Sequence, residues 1–430
     1  MITEYIPKIL RSKWAVLFGV GWLHLGRFGR PISSSADIGY MPPRSTPPQP
    51  ASQSLLSHPL IRTVVVVLLL YVFLIGVNGL GAGFKALGGE MLDLFFSATE
   101  NPFMGLMVGI LATTLVQSSS VTTATIVGFV AAPENPLPIA NAVPMIMGAN
   151  IGTTVTNTIA SLAHMGRKEE FRRAFAVATC HDFFNYMVVL VLLPLELMTG
   201  FLQKSAFALA SAFSGVSGAD YDSPIKGAIK AGGKPVTAAI EAVFGDGRLG
   251  AVMLIVASGA IIFVALLSIV SVMRSAMQSR VEGMVSRALE NNAIIAIAIG
   301  IVATVMVQSS SITTSLLVPL AGAGVLTLTQ AFPVTLGANI GTTVTALLAA
   351  LAATDDNAHA GLTIALVHLL FNLSGTLLVY PFPKIRRIPL NWARKLADVA
   401  VESRKWALLY VVLLFYMVPA LFAVLNRIFG

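Results

Sequence analysis

The chain contains one nine-residue string twice, without a single change, at 148–156 and at 337–345. The string reads Gly-Ala-Asn-Ile-Gly-Thr-Thr-Val-Thr. A Gln-Ser-Ser-Ser motif precedes each copy, at 117–120 and 308–311, and a His-x-x-x-Asn motif follows each copy. Three motifs repeated in the same order indicate the duplication of a long unit rather than a short solenoid repeat. We therefore expect a fold that is built from two similar halves.

The chain is too apolar for an ordinary soluble protein. Of its 430 residues, 56% are hydrophobic and 11% are charged, whereas soluble domains carry about 25% charged residues. Few charges and long apolar runs indicate a polytopic membrane protein, so the net charge of +8 does not indicate nucleic-acid binding. The single cysteine, Cys180, excludes an intrachain disulfide and a multi-thiolate metal site.

Seven apolar segments have the length of a membrane span. They lie at 62–83, 138–163, 174–199, 249–274, 331–353, 361–383 and 406–428. Two further apolar segments, 104–131 and 291–326, carry the Gln-Ser-Ser-Ser motifs near their middles. If both are re-entrant hairpins, the basic loops 164–173, 275–290 and 384–405 share the cytoplasmic side with the basic N-terminal segment. A full crossing by 104–131 would place loop 164–173 outside, against the positive-inside rule.

Each half then has three crossings, and an odd number inverts the second half relative to the first, as in secondary transporters. The predicted fold is an all-α polytopic membrane protein with two inverted repeats and an extra C-terminal helix, in which each repeat has three transmembrane helices and a re-entrant hairpin. The predicted parts are a partly disordered cytoplasmic segment 1–60, repeat 1 at 61–200, an extracytoplasmic linker loop 201–248, repeat 2 at 249–383, and a cytoplasmic loop with a final helix at 384–430. The expected location is the cell membrane, with the N-terminus in the cytoplasm.

The duplicated residues are mostly uncharged oxygen carriers. Hydroxyl and amide oxygens suit Na⁺, and helix starts at a hairpin tip attract an oxyanion. The hairpin candidates are Gln117, Ser118, Ser119, Ser120, Thr122 and Thr123, with their twins Gln308, Ser309, Ser310, Ser311, Thr313 and Thr314. Serine and threonine also allow close helix packing, but symmetric duplication beside glutamine favours a binding site.

The nine-residue string adds further oxygen ligands within the spans. Its candidates are Asn150, Thr153, Thr154 and Thr156, with their twins Asn339, Thr342, Thr343 and Thr345. Gly148 and Gly152 flank Asn150, so the helix can break there and free carbonyl groups for an ion. The alternative is that these glycines form a close contact between two helices.

Asp182 is the clearest ionisable residue within a span, and a carboxylate at that depth needs a partner or a function. We predict an additional cation ligand, whereas the alternative is a structural pairing with His181 or a loop arginine. The counterpart of Asp182 in the second half is Leu369. The pairs His181/Asn185 and His368/Asn372 each share one helix face. Because no Cys, Asp or Glu spacing supports a metal site, they are predicted to be hydrogen-bonded packing residues.

These motifs, with Glu170-Phe171-Arg172-Arg173-Ala174-Phe175 running into His181-Asp182-Phe183-Phe184-Asn185, resemble the type II sodium-dependent phosphate cotransporters over about 60–425. The resemblance implies Na⁺-driven uptake of inorganic phosphate, with Na⁺ as coupling ion and no other cofactor. It also implies that the duplicated residues bind phosphate and Na⁺, and that Asp182 marks an electrogenic member with an additional Na⁺ site.

Two other functions are left open. The chain could carry another oxyanion or a dicarboxylate with Na⁺, and a passive anion channel is the weaker alternative. An enzyme is disfavoured, because the sequence has no nucleophile–base set and no phosphate-binding glycine-rich loop. The short outer loop without a cysteine pair is expected of a bacterial-type member of the family.

Overall fold

The computed structural model describes residues 59–87, 99–132, 136–216, 224–288, 292–351 and 357–429. Every regular element within these ranges is a helix. In the first half these are α1 Pro59–Leu87, α2 Pro102–Val116, α3 Ser119–Val130, α4 Ile139–Thr153, α5 Val155–Leu162 and α6 Lys168–Thr199. They are followed by α7 Phe201–Val216, α8 Pro224–Phe244, α9 Arg248–Ala288, α10 Ala293–Val307, α11 Ser310–Ser315 and α12 Leu317–Gly322. The last are α13 Leu328–Leu351, α14 Ala358–Val379, α15 Pro383–Glu402, α16 Arg404–Val412, a π-helical turn Leu413–Met417, and α17 Val418–Phe429.

Six of the seven predicted spans are confirmed as helices long and apolar enough to cross a membrane. These are Leu60–Leu87, Lys168–Thr199, Arg248–Met273, Leu328–Leu351, Ala358–Val379 and Arg404–Asn426. The seventh, 138–163, is wrong as a single helix, because α4 ends at Thr153 and α5 begins at Val155. At the break, both the N–H and the hydroxyl of Thr154 bond to the carbonyl of Ile151, three residues back. The predicted segment 1–60 lies outside the described residues except for its last two.

The helix break expected at Asn150 is not observed, since α4 and α13 run without interruption through Asn150 and Asn339. The neighbouring glycines serve helix packing instead. A Cβ at Gly148 would collide with the carbonyl of Leu106 on α2, and a Cβ at Gly337 would collide with that of Ile297 on α10. Backbones that approach this closely exclude any side chain at the contact. The twin glycines therefore fix the same pairing, α2 on α4 and α10 on α13, in both halves.

Each Gln-Ser-Ser-Ser motif forms the turn between two short helices. Gln117 ends α2 in the left-handed region at φ 56°, and extended Ser118 then caps α3 by accepting a hydrogen bond from Val121 N–H. Gln308 and Ser309 repeat this geometry between α10 and α11, with φ 56° at the glutamine. The first helix of each hairpin has 15 residues and is about 22 Å long, whereas the apolar core of a bilayer is about 30 Å thick.

Three segments predicted as loops contain helix. The linker 201–248 holds α7 and α8, segment 275–290 continues α9 to Ala288, and segment 384–405 forms α15. The distribution of basic residues predicts on which side of the membrane a loop lies, but it does not predict whether the loop is helical. In α15 the small and apolar residues Leu390, Ala393 and Ala397 are buried, and the helix packs against α6.

The two halves contact each other through equivalent helices. Helix α6 of the first half contacts α13 of the second, and α14 of the second half contacts α4 of the first. The hairpins also contact the opposite half, because α3 packs against α14 and α12 packs against α6. These contacts bring the asparagine of each nine-residue string next to the His-x-x-x-Asn motif of the opposite half.

Candidate functional site

The glutamine of each hairpin turn is bonded to the nine-residue string of its own half. Gln117 accepts a hydrogen bond from Thr156 Oγ1 at 3.1 Å, and its amide nitrogen donates to Thr114 O. In the second half, Gln308 accepts from Thr345 Oγ1 at 3.2 Å and donates to Val305 O. Each hairpin turn is therefore fixed to a span by the same pair of residue types.

Hydroxyl groups line the starts of the second hairpin helices. Ser119, Ser120 and Thr122 are buried in the first turn of α3, and Ser310 and Thr313 are buried in α11. Such a turn combines hydroxyl oxygens, which are neutral cation ligands, with the positive end of a helix dipole, which attracts anions. The arrangement suits a small oxyanion together with an alkali cation.

The four threonines beside the string's asparagines are also buried, but each bonds within its own helix. Thr153 and Thr342 donate to the carbonyls of Ala149 and Ala338, four residues back. Thr154 and Thr343 donate to carbonyls three residues back. Each hydroxyl oxygen retains acceptor capacity for a ligand, so the predicted binding role of these residues remains a prediction.

The histidine–asparagine pairs connect the two halves crosswise. On α6, His181 Nε2 lies 2.6 Å from Asn339 Oδ1, and Asn339 donates to Asn185 Oδ1 at 2.9 Å. On α14, His368 Nε2 lies 3.3 Å from Asn150 Oδ1, and Asn372 donates to the same oxygen at 3.1 Å. Each pair thus holds the asparagine of the opposite half through buried hydrogen bonds.

The direction of these hydrogen bonds follows from one chain of contacts. Asn185 donates to the backbone carbonyl of Asn150 at 2.8 Å, so its Oδ1 accepts from Asn339. The amide of Asn339 is thereby oriented, and its Oδ1 must accept from His181 Nε2–H. The other ring nitrogen of His181, Nδ1, is buried and has no hydrogen-bond partner among the described residues. In this arrangement both histidines donate Nε2–H to the side-chain oxygen of an asparagine in the opposite half.

Three consecutive residues in the first turn of α5 each form a hydrogen bond with a different part of the site. Thr156 bonds to Gln117 of the first hairpin. Asn157 donates to Thr314 of the second hairpin at 2.7 Å and accepts from Ser315 at 3.0 Å. Thr158 donates to the carboxylate of Asp182 at 3.0 Å. In α13 only the threonine is repeated, because Ala346 and Leu347 occupy the next two positions.

Comparison with known proteins places the sequence in a family. The Na⁺/Pi-cotransporter family matches residues 72–218 and 261–386. The chain belongs to this family. Sodium-dependent phosphate transport protein 2B of Pongo abelii and of Homo sapiens are each 32% identical to it over 83% of the chain and 64% of their own length. Protein 2A of Rattus norvegicus is 33% identical over 84% of the chain and 67% of its own length. The chain thus spans slightly less than two thirds of the first of these relatives, and no solved structure shows significant similarity to it.

Within this Na⁺/Pi-cotransporter family member, Asp182 is fully buried at 0% exposure. Its carboxylate accepts hydrogen bonds from Thr158 and from Tyr410 Oη, the latter at 2.9 Å. His181, the alternative partner considered from the sequence, bonds to Asn339 instead. The side-chain donors to Asp182 are therefore neutral hydroxyl groups, and its predicted role as a cation ligand stays a prediction.

Sequence reasoning missed Asn157, Thr158, Ser315 and Tyr410. The first three have no duplicated counterpart to mark them, and Tyr410 lies beyond both repeats in α16. A polar run at the end of the first string, Thr156-Asn157-Thr158 within an apolar span, was the available signal. Among the described residues, no three His, Cys, Asp or Glu side chains come together, so the oxygen-rich groups above are the candidates for binding a cation.

Proposed function

We propose that the chain is a secondary active symporter that uses an inward Na⁺ gradient to take up inorganic phosphate. The observation that carries this proposal is the crossed arrangement, in which each half supplies an oxygen-lined hairpin and orients the asparagine of the other half. The printed names of the relatives, sodium-dependent phosphate transport proteins, support the choice of ion and substrate.

The two hairpins are re-entrant, and the two repeats have opposite orientations in the cell membrane with the N-terminus in the cytoplasm. Two features support this topology. The hairpin helices are too short to cross, and re-entry leaves the arginines and lysines of 164–173, 275–290 and 384–405 on one side. Inverted repeats around a central site give access from either side in turn.

Phosphate and Na⁺ bind between the hairpin turns and the spans that contain the repeated string. The hairpin ligands are the glutamines and hydroxyls at 117–122 and 308–313, and the span ligands are the asparagines and threonines at 150–154 and 339–343. Asp182 binds an additional Na⁺, which makes transport electrogenic. Burial of a carboxylate among hydroxyl groups without a fixed positive charge in contact supports this role, because such a charge is costly until a cation neutralises it.

Uptake of radiolabelled phosphate into proteoliposomes tests the proposal. We expect concentrative uptake under an inward Na⁺ gradient and none under an equal choline gradient. Phosphate uptake at the same rate with and without Na⁺ would contradict the proposal. The second candidate, a Na⁺-coupled carrier of another oxyanion or a dicarboxylate, uses the same neutral hairpins. It is favoured if sulfate or succinate displaces phosphate at equal or lower concentration.

A further inference from the structure

Tyr410 reaches the buried carboxylate of Asp182 from outside both repeats. It lies in α16, within the candidate span Arg404–Asn426 that follows the second repeat. Its hydroxyl donates to Asp182 Oδ2 at 2.9 Å, and Thr158 Oγ1 donates to the same oxygen at 3.0 Å. Two neutral O–H donors thus share one oxygen of the carboxylate.

Aromatic packing keeps the Tyr410 hydroxyl in this position. The ring centroid of Tyr410 lies 6.3 Å from that of Phe175, 6.2 Å from that of Phe183 and 6.2 Å from that of Phe415. Among the described residues, Asp182 is the acceptor of the Tyr410 hydroxyl, and a buried hydroxyl without an acceptor is unfavourable. The phenol is therefore held as a donor to the carboxylate rather than offered as an oxygen ligand to a cation.

We propose that the Tyr410 hydroxyl competes with a cation for the carboxylate of Asp182 and thereby sets the affinity of the cation site. This inference rests on the proposed role of Asp182 as a cation ligand. A hydrogen bond that stabilises only the empty form opposes cation binding, because the cation must compete with it for the carboxylate. Removing the hydroxyl while keeping the ring should therefore strengthen cation binding.

The test is a Na⁺ titration of the purified full-length chain without phosphate, at constant ionic strength with choline, read as the rise in thermal unfolding temperature. We expect Tyr410→Phe to lower the half-saturating Na⁺ concentration about tenfold, the shift that corresponds to losing one hydrogen bond to a charged group. Tyr71→Phe is the matched control. Its hydroxyl donates to the backbone carbonyl of Ala228, which belongs to none of the candidate binding groups, and it should change the concentration less than about twofold.

Asp182→Asn should remove this component of the titration, and adding Tyr410→Phe to that variant should change nothing further. A half-saturating concentration that rises in Tyr410→Phe would identify the hydroxyl as a ligand and overturn the competing role. An unchanged value would also overturn it. If Tyr410→Phe does not fold, Thr158→Val removes the other donor and should shift the affinity in the same direction. Because no phosphate is present, tighter Na⁺ binding in Tyr410→Phe would support the inference even if Na⁺-driven phosphate uptake failed.

Discussion

Removing His181 and Asn339 together is expected to cost less stability than the sum of the two single changes, because the side chains share one buried hydrogen bond. The distance between His181 Nε2 and Asn339 Oδ1 is 2.6 Å, and the residues are 1% and 3% exposed. Hydrogen bonds between membrane helices contribute about 0.6 kcal/mol on average and about 1.7 kcal/mol at most in double-mutant cycles. A short, fully buried bond belongs in the upper part of that range, so we expect a coupling of about 1–1.7 kcal/mol.

The pair in the other half should couple more weakly. The distance from His368 Nε2 to Asn150 Oδ1 is 3.3 Å, and Asn372 also donates to that oxygen. The loss of His368 therefore leaves Asn150 with a donor, and we expect a coupling of about 0.6 kcal/mol.

The assay is the free energy of unfolding of the purified protein in bicelles, measured by denaturing-detergent titration for alanine single and double variants. Swapped cycles provide the control. His181 with Asn150, and His368 with Asn339, are not hydrogen-bonded side-chain pairs, so their coupling should be about 0.5 kcal/mol or less. Swapped couplings as large as the crossed ones would refute the crossed connection between the halves.

Two further predictions concern single positions. Gly148→Ala should destabilise the protein by about 1–3 kcal/mol through overpacking, because its Cβ would meet the carbonyl of Leu106. The control is Gly259→Ala, since Gly259 is a helical glycine with open space around its Cβ position. Equal unfolding temperatures for the two variants would contradict the packing argument. Asp182→Gly should move one charge fewer per phosphate while some phosphate transport remains, measured as current against radiolabel uptake. A wild-type charge-to-phosphate ratio in that variant would show that Asp182 does not bind a coupled cation.

The duplicated motifs made much of this fold predictable. The Gln-Ser-Ser-Ser motifs near the middles of two apolar segments predicted the position of both hairpin turns. Hydrophobic length alone located six spans. It could not reveal that 138–163 breaks at Thr154, since the twin residue Thr343 lies within an uninterrupted helix.

The crossed contacts could not be predicted from the sequence. Nothing in two identical strings tells which histidine meets which asparagine, and the pairs observed join residues 158 and 218 positions apart. Asn157 and Thr158 were missed because they are not duplicated. Their counterparts in the second half are alanine and leucine, so a search for repeated polar residues does not find them. Tyr410 becomes relevant only when α16 is folded against Asp182.

The central claim is that one site formed by both halves moves Na⁺ and phosphate together. The most direct measurement is the flux of radiolabelled Na⁺ into proteoliposomes that have equal Na⁺ on both sides and an inward gradient of phosphate alone, with the membrane potential clamped. A symporter predicts that the phosphate gradient drives net Na⁺ accumulation, and that sulfate at the same concentration does not. Phosphate entry without any accompanying Na⁺ movement would contradict the account.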